Sequence, residues 1–430
     1  MKKQNLKAAH YNILFSLYEQ IWRIAIPMLR RNSRLAEGFA QRTLAEPLPH
    51  AHLWIQAASV GEAWLAAEIL RNLHPLYPLK VLITTNTRQG IELLDKLMAE
   101  MSFSDKRVEN VGTAYFPFDR PSLMQKAVHQ VRPHVTVLLE TEIWPALLSA
   151  LKQSRTRILL LNGRISSRSL KRYGLCKSLW KSLRPDQIRA VSREDARRFG
   201  LLFGRENIGL MSNIKFDRIP VHMPGQEEKN FIHQMVPHPF LVLGSVRQEE
   251  EKEVENLIGQ VHSQLPEAVI GLFPRHFHRL KHWKKKLEHM CIPWCLRSGI
   301  RKPVSSGTVI LWDTFGELLS AYDAADAAFV GGSLAPLGGQ NFIEPLVCGL
   351  RPVIGPHWND FAWVGSTLFD RGLVRIAADG KSAADLLMQD LKHPFSKASV
   401  RKTALTYLED RRGGTEHACR MIEKELGMQA

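Results

Sequence analysis

From His52 onward, apolar and polar positions alternate between two periods. Short unbroken apolar runs mark strands buried on both faces, and the stretches between them repeat apolar residues every three to four positions, as a helix with one buried face does. HLWIQAASV is a strand and GEAWLAAEILRNL a helix; LKVLITT, RQGIELLDKLMAE, TAYFPF, PSLMQKAVHQV and HVTVLLE continue the series. The helix IWPALLSAL, the strand TRILLLN and the shorter IRAVS follow. Pro220, Pro224 and Gly225 then break the pattern, and a second series runs through FLVLGS, a helix over Glu249 to Leu265, AVIGLFP, TVILW, a helix, AAFVGG, a helix and PVIGP. Such alternation predicts an α/β fold with parallel sheets, whose ligands collect at the carboxyl ends of the strands.

The chain has 430 residues, too many for one ordinary core. The expected division is an N-terminal helical segment (1–45), a Rossmann-like domain (46–218), a linker (219–237) and a second Rossmann-like domain (238–430). The two domains are expected to face each other across a cleft. A closing helical stretch, Ser399 to Leu426, is broken at Gly413 and Gly414 and leaves open a return to the first domain.

Tyr11 to Leu29 is the one candidate membrane segment. Glu19 and Arg23 sit in its middle, while Leu14, Leu17, Tyr18, Ile21, Ile24 and Met28 share a helical face. The expectation is an amphipathic helix lying in a membrane interface, anchored by Trp22 and by Lys2, Lys3, Lys7, Arg30, Arg31 and Arg34. A helix packed on the protein itself is the alternative. Whether the helix spans or lies flat is not fixed by its length.

Charge sharpens this picture. The formal net charge is +16, with fourteen Lys and Arg between Lys152 and Arg198 against Asp186, Glu194 and Asp195, and six more in RHFHRLKHWKKK from Arg275 to Lys286. Basic runs of this kind suit an anionic surface or a phosphorylated ligand. They carry no recognised nucleic-acid module and no interleaved aromatics, so nucleic acid is not an expected partner. Cys176, Cys291, Cys295, Cys348 and Cys419 form no CxxC, and reduced cytosolic thiols are expected. Cys291 and Cys295 with His289 match no zinc spacing, so no metal site is expected.

Candidate chemistry lies at the strand ends. In the first half AASVGE places Ser59, Gly61 and Glu62 at a tip, where Glu62 is either a proton acceptor or the acid of a capping box with Ser59. ETEIWP adds Glu140 and Glu142, acids that raise each other's pKa or serve as helix caps, and NIKFD adds Lys215. In the second half the tips are GSVRQEE with Ser245, FPRH with Pro274, Arg275 and His276, and WDTFGEL with Phe315, Gly316 and Glu317. Phe329 to Pro345, FVGGSLAPLGGQNFIEP, adds Gly338, Gly339, Asn341, Phe342, Ile343 and Glu344. Its glycines precede a helix start whose free amides favour an anion, and Glu344 is placed to accept from ribose hydroxyls or to act as a first-turn acid.

In this order, ASVGE, ETEIWP, NIKFD, LGSVRQEE, PRH, DTFGEL, AFVGGSLAPLGGQNFIEP and GPH resemble the 3-deoxy-D-manno-oct-2-ulosonic acid (Kdo) transferases. The resemblance implies a GT-B enzyme that moves Kdo from CMP-Kdo to a lipid A precursor, a phosphorylated glycolipid, at the cytoplasmic face of the inner membrane. It also implies inversion and no cofactor or metal. It makes Glu62 the general base and gives Glu140 and Lys215 a part in stabilising the transition state. Pro274, Arg275, Phe315 to Glu317 and Asn341 to Glu344 would hold CMP, with His276 beside them. Two positions depart from the family pattern: Gln340 stands in GGQN where GGHN is common, and His278 replaces an acid in PRHFHR. Another GT-B nucleotide-sugar enzyme, a UDP-sugar transferase or a 2-epimerase, is the alternative.

Overall fold

The computed structural model describes residues 2–100, 108–219 and 226–427. The chain divides into two units, Met1–Arg218 with Arg411–Ala430, and Ile219–Asp410. Each is built on one seven-stranded parallel sheet.

In the first unit the strands are β1 (Leu53–Gln56), β2 (Leu79–Thr85), β3 (Val108–Tyr115), β4 (Val135–Leu139), β5 (Arg157–Gly163), β6 (Gln187–Ala190) and β7 (Ile208–Leu210), in the order β3-β2-β1-β4-β5-β6-β7. Alternate residues serve opposite faces. Trp54, Leu82, Leu138 and Leu160 enter one apolar cluster, and Leu53, Ile55, Val81, Ile83, Val137 and Leu159 enter the other. Burial on both faces is why these strands are unbroken apolar runs. The first strand ends sooner than its apolar run suggests, because the Ser59 hydroxyl accepts from the Glu62 amide and starts a helix at Val60.

In the second unit the strands are β8 (Phe240–Val246), β9 (Val269–Pro274), β10 (Trp294–Leu296), β11 (Val309–Leu311), β12 (Ala327–Val330), β13 (Val353–Ile354) and β14 (Arg375–Ile376). Their order is β10-β11-β9-β8-β12-β13-β14. The edge strands β10 and β14 are two or three residues long, too short to show a period in the sequence.

The prolines and glycine expected to form the linker lie outside the described residues, but Gln226–Met235 inside the expected linker is a helix. The final helix, Gly414–Glu425, belongs to the first unit. Its Ala418, Cys419 and Ile422 enter that unit's core, and Asp217 accepts from the amides of Gly413 and Thr415 at its start.

The N-terminal helix, Lys2–Leu29, turns Tyr18, which by periodicity shares the apolar face, toward the protein. Tyr18, Glu19 and Trp22 turn toward the protein. Tyr18 donates to the buried Asp119 at 3.1 Å, and Trp22 packs on Phe118 with ring centroids 5.7 Å apart. Glu19 receives Arg120 at 2.6 Å and the Ser122 amide and hydroxyl at 3.0 Å. Burial pushes the Glu19 carboxyl up, but these donors and Arg23 outweigh it and hold the group at about 2. The outward face is apolar: Ile13, Leu14, Leu17, Ile21, Ile24 and Met28 are 42% to 71% exposed. The side chains of Lys2, Lys3 and Lys7 lie outside the described residues. No helix among the described residues is long and apolar enough to cross a membrane.

Candidate active site

In each sheet the connections diverge at one point, to β2 and β4 on either side of β1, and to β9 and β12 on either side of β8. Such switch points leave an opening at the carboxyl ends of the strands. The candidate residues gather there.

In the first unit Glu62 follows β1 and Glu140 and Glu142 follow the neighbouring β4. Glu62 is 8% exposed. It completes the capping box, accepting from the Ser59 amide at 2.8 Å. The cap and the chemical candidate are therefore the same residue. Burial first, then the charges of Glu142 and Glu140, push its carboxyl up to about 8. Gly61 and Ser59 are exposed at the tip.

Glu140 sits in the left-handed backbone region, φ 52, where a residue with a Cβ is strained. Lys215 reaches it from beyond β7, Nζ to Oε1 2.7 Å, and an Arg164 guanidinium nitrogen lies 3.9 Å from the same oxygen. Glu142 is buried and accepts from Gln56 Nε2 at 2.9 Å and the Trp144 indole at 2.7 Å, and burial raises its pKa. It caps no helix; the cap position ahead of Pro145 is Trp144. Sequence reasoning missed Gln56 and Arg164, although a glutamine inside the apolar run of β1 is itself a signal.

In the second unit the tips of β11, β9, β8 and β12 are neighbours, so Glu317, Arg275, Ser245 and the glycine loop come together. Arg275 and His276 are exposed, and His276 stacks on His278 with ring centroids 5.5 Å apart. Pro274 closes β9 and is buried. Phe315 is 84% exposed and lies on Phe277, centroids 4.1 Å apart, and Gly316 has φ 86 with open space where a Cβ would stand. Glu317 accepts from Arg297 at 2.7 Å, the Trp312 indole at 2.8 Å and the Thr314 hydroxyl at 2.7 Å. These contacts fix its carboxylate. Glu344 accepts from Asn341 Nδ2 at 2.8 Å; burial raises its pKa, and the Asn341 bond and the charge of Arg275 oppose the rise.

The glycine loop has contacts within the protein at both of its ends. Phe342 and Ile343 point into the core, so only their backbone is available to a ligand. The amides at the loop's start already hold an anion, the protein's own Glu250. This carboxylate, 1% exposed, accepts from the amides of Gly332, Ser333, Leu334 and Arg247 and ties the tip of β8 to that of β12. The helix after the loop, Ile343–Val347, is five residues long, and Asn341 Oδ1 accepts its first amide at 3.1 Å. Gly338 and Gly339 have φ 88 and 87, and a Cβ on Gly338 would meet Asp360 at 2.4 Å. Those glycines are required by the backbone. Gln340 lies over Gly332, its Cγ 3.0 Å from where a Cβ would stand.

A family model described as 3-Deoxy-D-manno-octulosonic-acid transferase (kdotransferase) matches residues 30–218. A 3-deoxy-D-manno-octulosonic acid transferase of Bordetella pertussis is 29% identical over 386 residues, 88% of this chain and 88% of that protein. A bifunctional glycosyltransferase/methyltransferase of Fusobacterium nucleatum is 27% identical over 350 residues, 79% of this chain, and the match spans only 52% of that protein. A UDP-GlcNAc 2-epimerase structure from Neisseria meningitidis has the same fold, with a TM-score of 0.53 at 12% identity over 88% of this chain and 100% of that one. The family model covers most of the first unit and the Bordetella relative extends the likeness across both, so the chain is similar to 3-deoxy-D-manno-octulosonic acid transferases over most of its length.

Proposed function

We propose that this chain is an inverting glycosyltransferase that moves Kdo from CMP-Kdo to a phosphorylated lipid A precursor, with Glu62 as general base. The observation that carries the reading is the carboxylate cluster of the first unit. Glu62, held at about 8 by burial and by two neighbouring acids, has the proton affinity a base needs near neutral pH. In the proposed step the acceptor hydroxyl oxygen attacks the anomeric carbon of Kdo. The bond from that carbon to the phosphate oxygen breaks, its electron pair leaves with CMP, and the hydroxyl proton passes to Glu62. One displacement of this kind inverts the anomeric centre. Glu140 stabilises the positive charge that develops on the sugar, and Lys215 at 2.7 Å holds its carboxylate in place.

The donor contacts are assigned to the second unit. Arg275 is an exposed forked cation for the phosphate, and Glu344 beside it is an acceptor for ribose hydroxyls. Phe315 and Gly316 offer an open aromatic face and free backbone next to them. The loop after β12 supports the site from behind, since Glu250 occupies its amides.

The exposed apolar stripe of the N-terminal helix supports a further part of the reading, that the protein lies on the cytoplasmic face of the inner membrane with this helix in the interface. The test is direct. Detergent-solubilised protein is incubated with CMP-Kdo and the lipid A precursor, with and without EDTA, and the product is weighed by mass spectrometry. Addition of Kdo mass in both reactions is expected; no addition refutes the reading. CMP is expected to raise the melting temperature, and protection by UDP alone would favour a UDP-sugar enzyme.

A further inference from the structure

The segment between β5 and β6 carries a cationic face that the assignments above do not use. Ser167–Tyr173 and Lys177–Ser182 are short helices. Leu170, Tyr173, Leu179 and Trp180 turn into the core of the first unit. Helix periodicity then groups Arg168, Lys171 and Arg172, at spacings of three and four, away from that core, and does the same for Lys177 and Lys181. All five are exposed. Other cations of the same stretch are paired: Arg157 with Asp186 and Glu425, Arg184 with Glu206, Arg197 and Arg198 with Glu194. Among the described residues these five have no carboxylate partner.

The first half of the segment borders the carboxylate cluster. At its start the Arg164 amide donates to the Glu140 carbonyl at 3.3 Å, and the Arg164 guanidinium approaches the Glu140 carboxylate. At the end of the first helix the Tyr173 phenol is pushed up by burial and then by the Glu142 charge, with Arg172 opposing. Five like charges without an internal anion repel one another, and an anion from outside relieves that repulsion.

We propose that Arg168, Lys171, Arg172, Lys177 and Lys181 bind a phosphate group carried by the acceptor, and so present one of its hydroxyls to Glu62. This rests on the reading of the chain as a Kdo transferase. A phosphate monoester is a compact dianion that accepts several charge-assisted hydrogen bonds, and neighbouring cations on a helical face meet it together.

The test compares a phosphate-bearing acceptor with the same lipid after phosphatase treatment, both in detergent micelles, using the full chain and its R168Q/K171Q/R172Q variant. The wild-type protein is expected to have a KM roughly ten- to hundredfold lower for the phosphate-bearing acceptor. In the variant that preference shrinks to about a few-fold, and the KM for CMP-Kdo stays as in the wild type. A variant with the same loss of charge on the second unit, K281Q/K284Q/K285Q, keeps the preference. Melting curves check that all three proteins are folded. If the wild-type chain transfers no Kdo, the functional reading falls and this proposal with it. If it transfers Kdo without preferring the phosphate-bearing acceptor, or if the triple variant discriminates as well as the wild type, the proposal alone falls. A triple variant that leaves phosphatidylglycerol vesicles but discriminates normally in micelles assigns the face to the membrane surface and overturns it.

Discussion

Replacing Glu62 by Gln separates two consequences of one burial. The side chain is 8% exposed, accepts from the Ser59 amide at 2.8 Å and lies within the influence of Glu142 and Glu140. Its carboxyl titrates at about 8 in the folded chain against an ordinary 4.5. Between those values the unfolded chain has released a proton that the folded chain keeps. The stability contributed by the protonated form is therefore complete below about 4.5, falls as pH rises, and is gone once pH has passed about 8. At about 1.4 kcal/mol for each tenfold difference in proton affinity, the gap is roughly 5 kcal/mol as an upper bound. Water entry and local relaxation lower it, and about 2 to 3 kcal/mol is the expected size.

Glutamine keeps the volume and an acceptor for the Ser59 amide, but has no proton to lose. Urea unfolding of E62Q and wild type at intervals from about pH 5 to pH 9 should give similar stabilities at the acid end and a growing advantage for E62Q above it. Transfer by E62Q should fall by about a thousandfold, and wild-type kcat/KM should rise with pH toward about 8. Parallel stability curves for the two proteins would refute the burial argument. Retained turnover in E62Q would refute the base.

Lys215→Met leaves Glu140 without its partner at 2.7 Å, so Kdo transfer should drop by about a hundredfold in an activity assay while CMP still raises the melting temperature. Glu250→Ala leaves the amides of Gly332, Ser333 and Leu334 buried without an acceptor; urea unfolding should register a loss of about 3 kcal/mol or more, and protection by CMP should weaken. L17S/I21S/I24S removes mostly exposed apolar surface, so sedimentation with phosphatidylglycerol vesicles should fall several-fold with little change in melting temperature.

The strands and most helices were legible because the chain repeats one unit, a buried strand and a half-buried helix, whose periods differ. The helix Arg88–Glu100 and the strand Leu79–Thr85 have the limits the pattern predicts. The pattern was silent where elements are too short to show a period, as at β10, β14 and the helices of the basic segment. At the N-terminal helix it left open which face turns inward. Periodicity showed an apolar face and a polar one, but Glu19 and Tyr18 have partners a hundred positions away on the β3–β4 connection, and those partners decide which face turns inward.

By itself the sequence determined the two parallel sheets and the tips on which Glu62, Glu140, Lys215, Arg275 and Glu344 stand, because motif and strand end are local properties. Only the tertiary structure decided what those residues do to one another. Side-by-side packing of β1 and β4 brings three acids together and raises Glu62, and the connection after β7 returns Lys215 to Glu140. The pairing of β8 with β12 lets Glu250 take the amides of Gly332, Ser333 and Leu334 at the start of the glycine loop. Proton affinity and hydrogen-bond occupancy depend on neighbours in space, and for these residues the neighbours are far away along the chain.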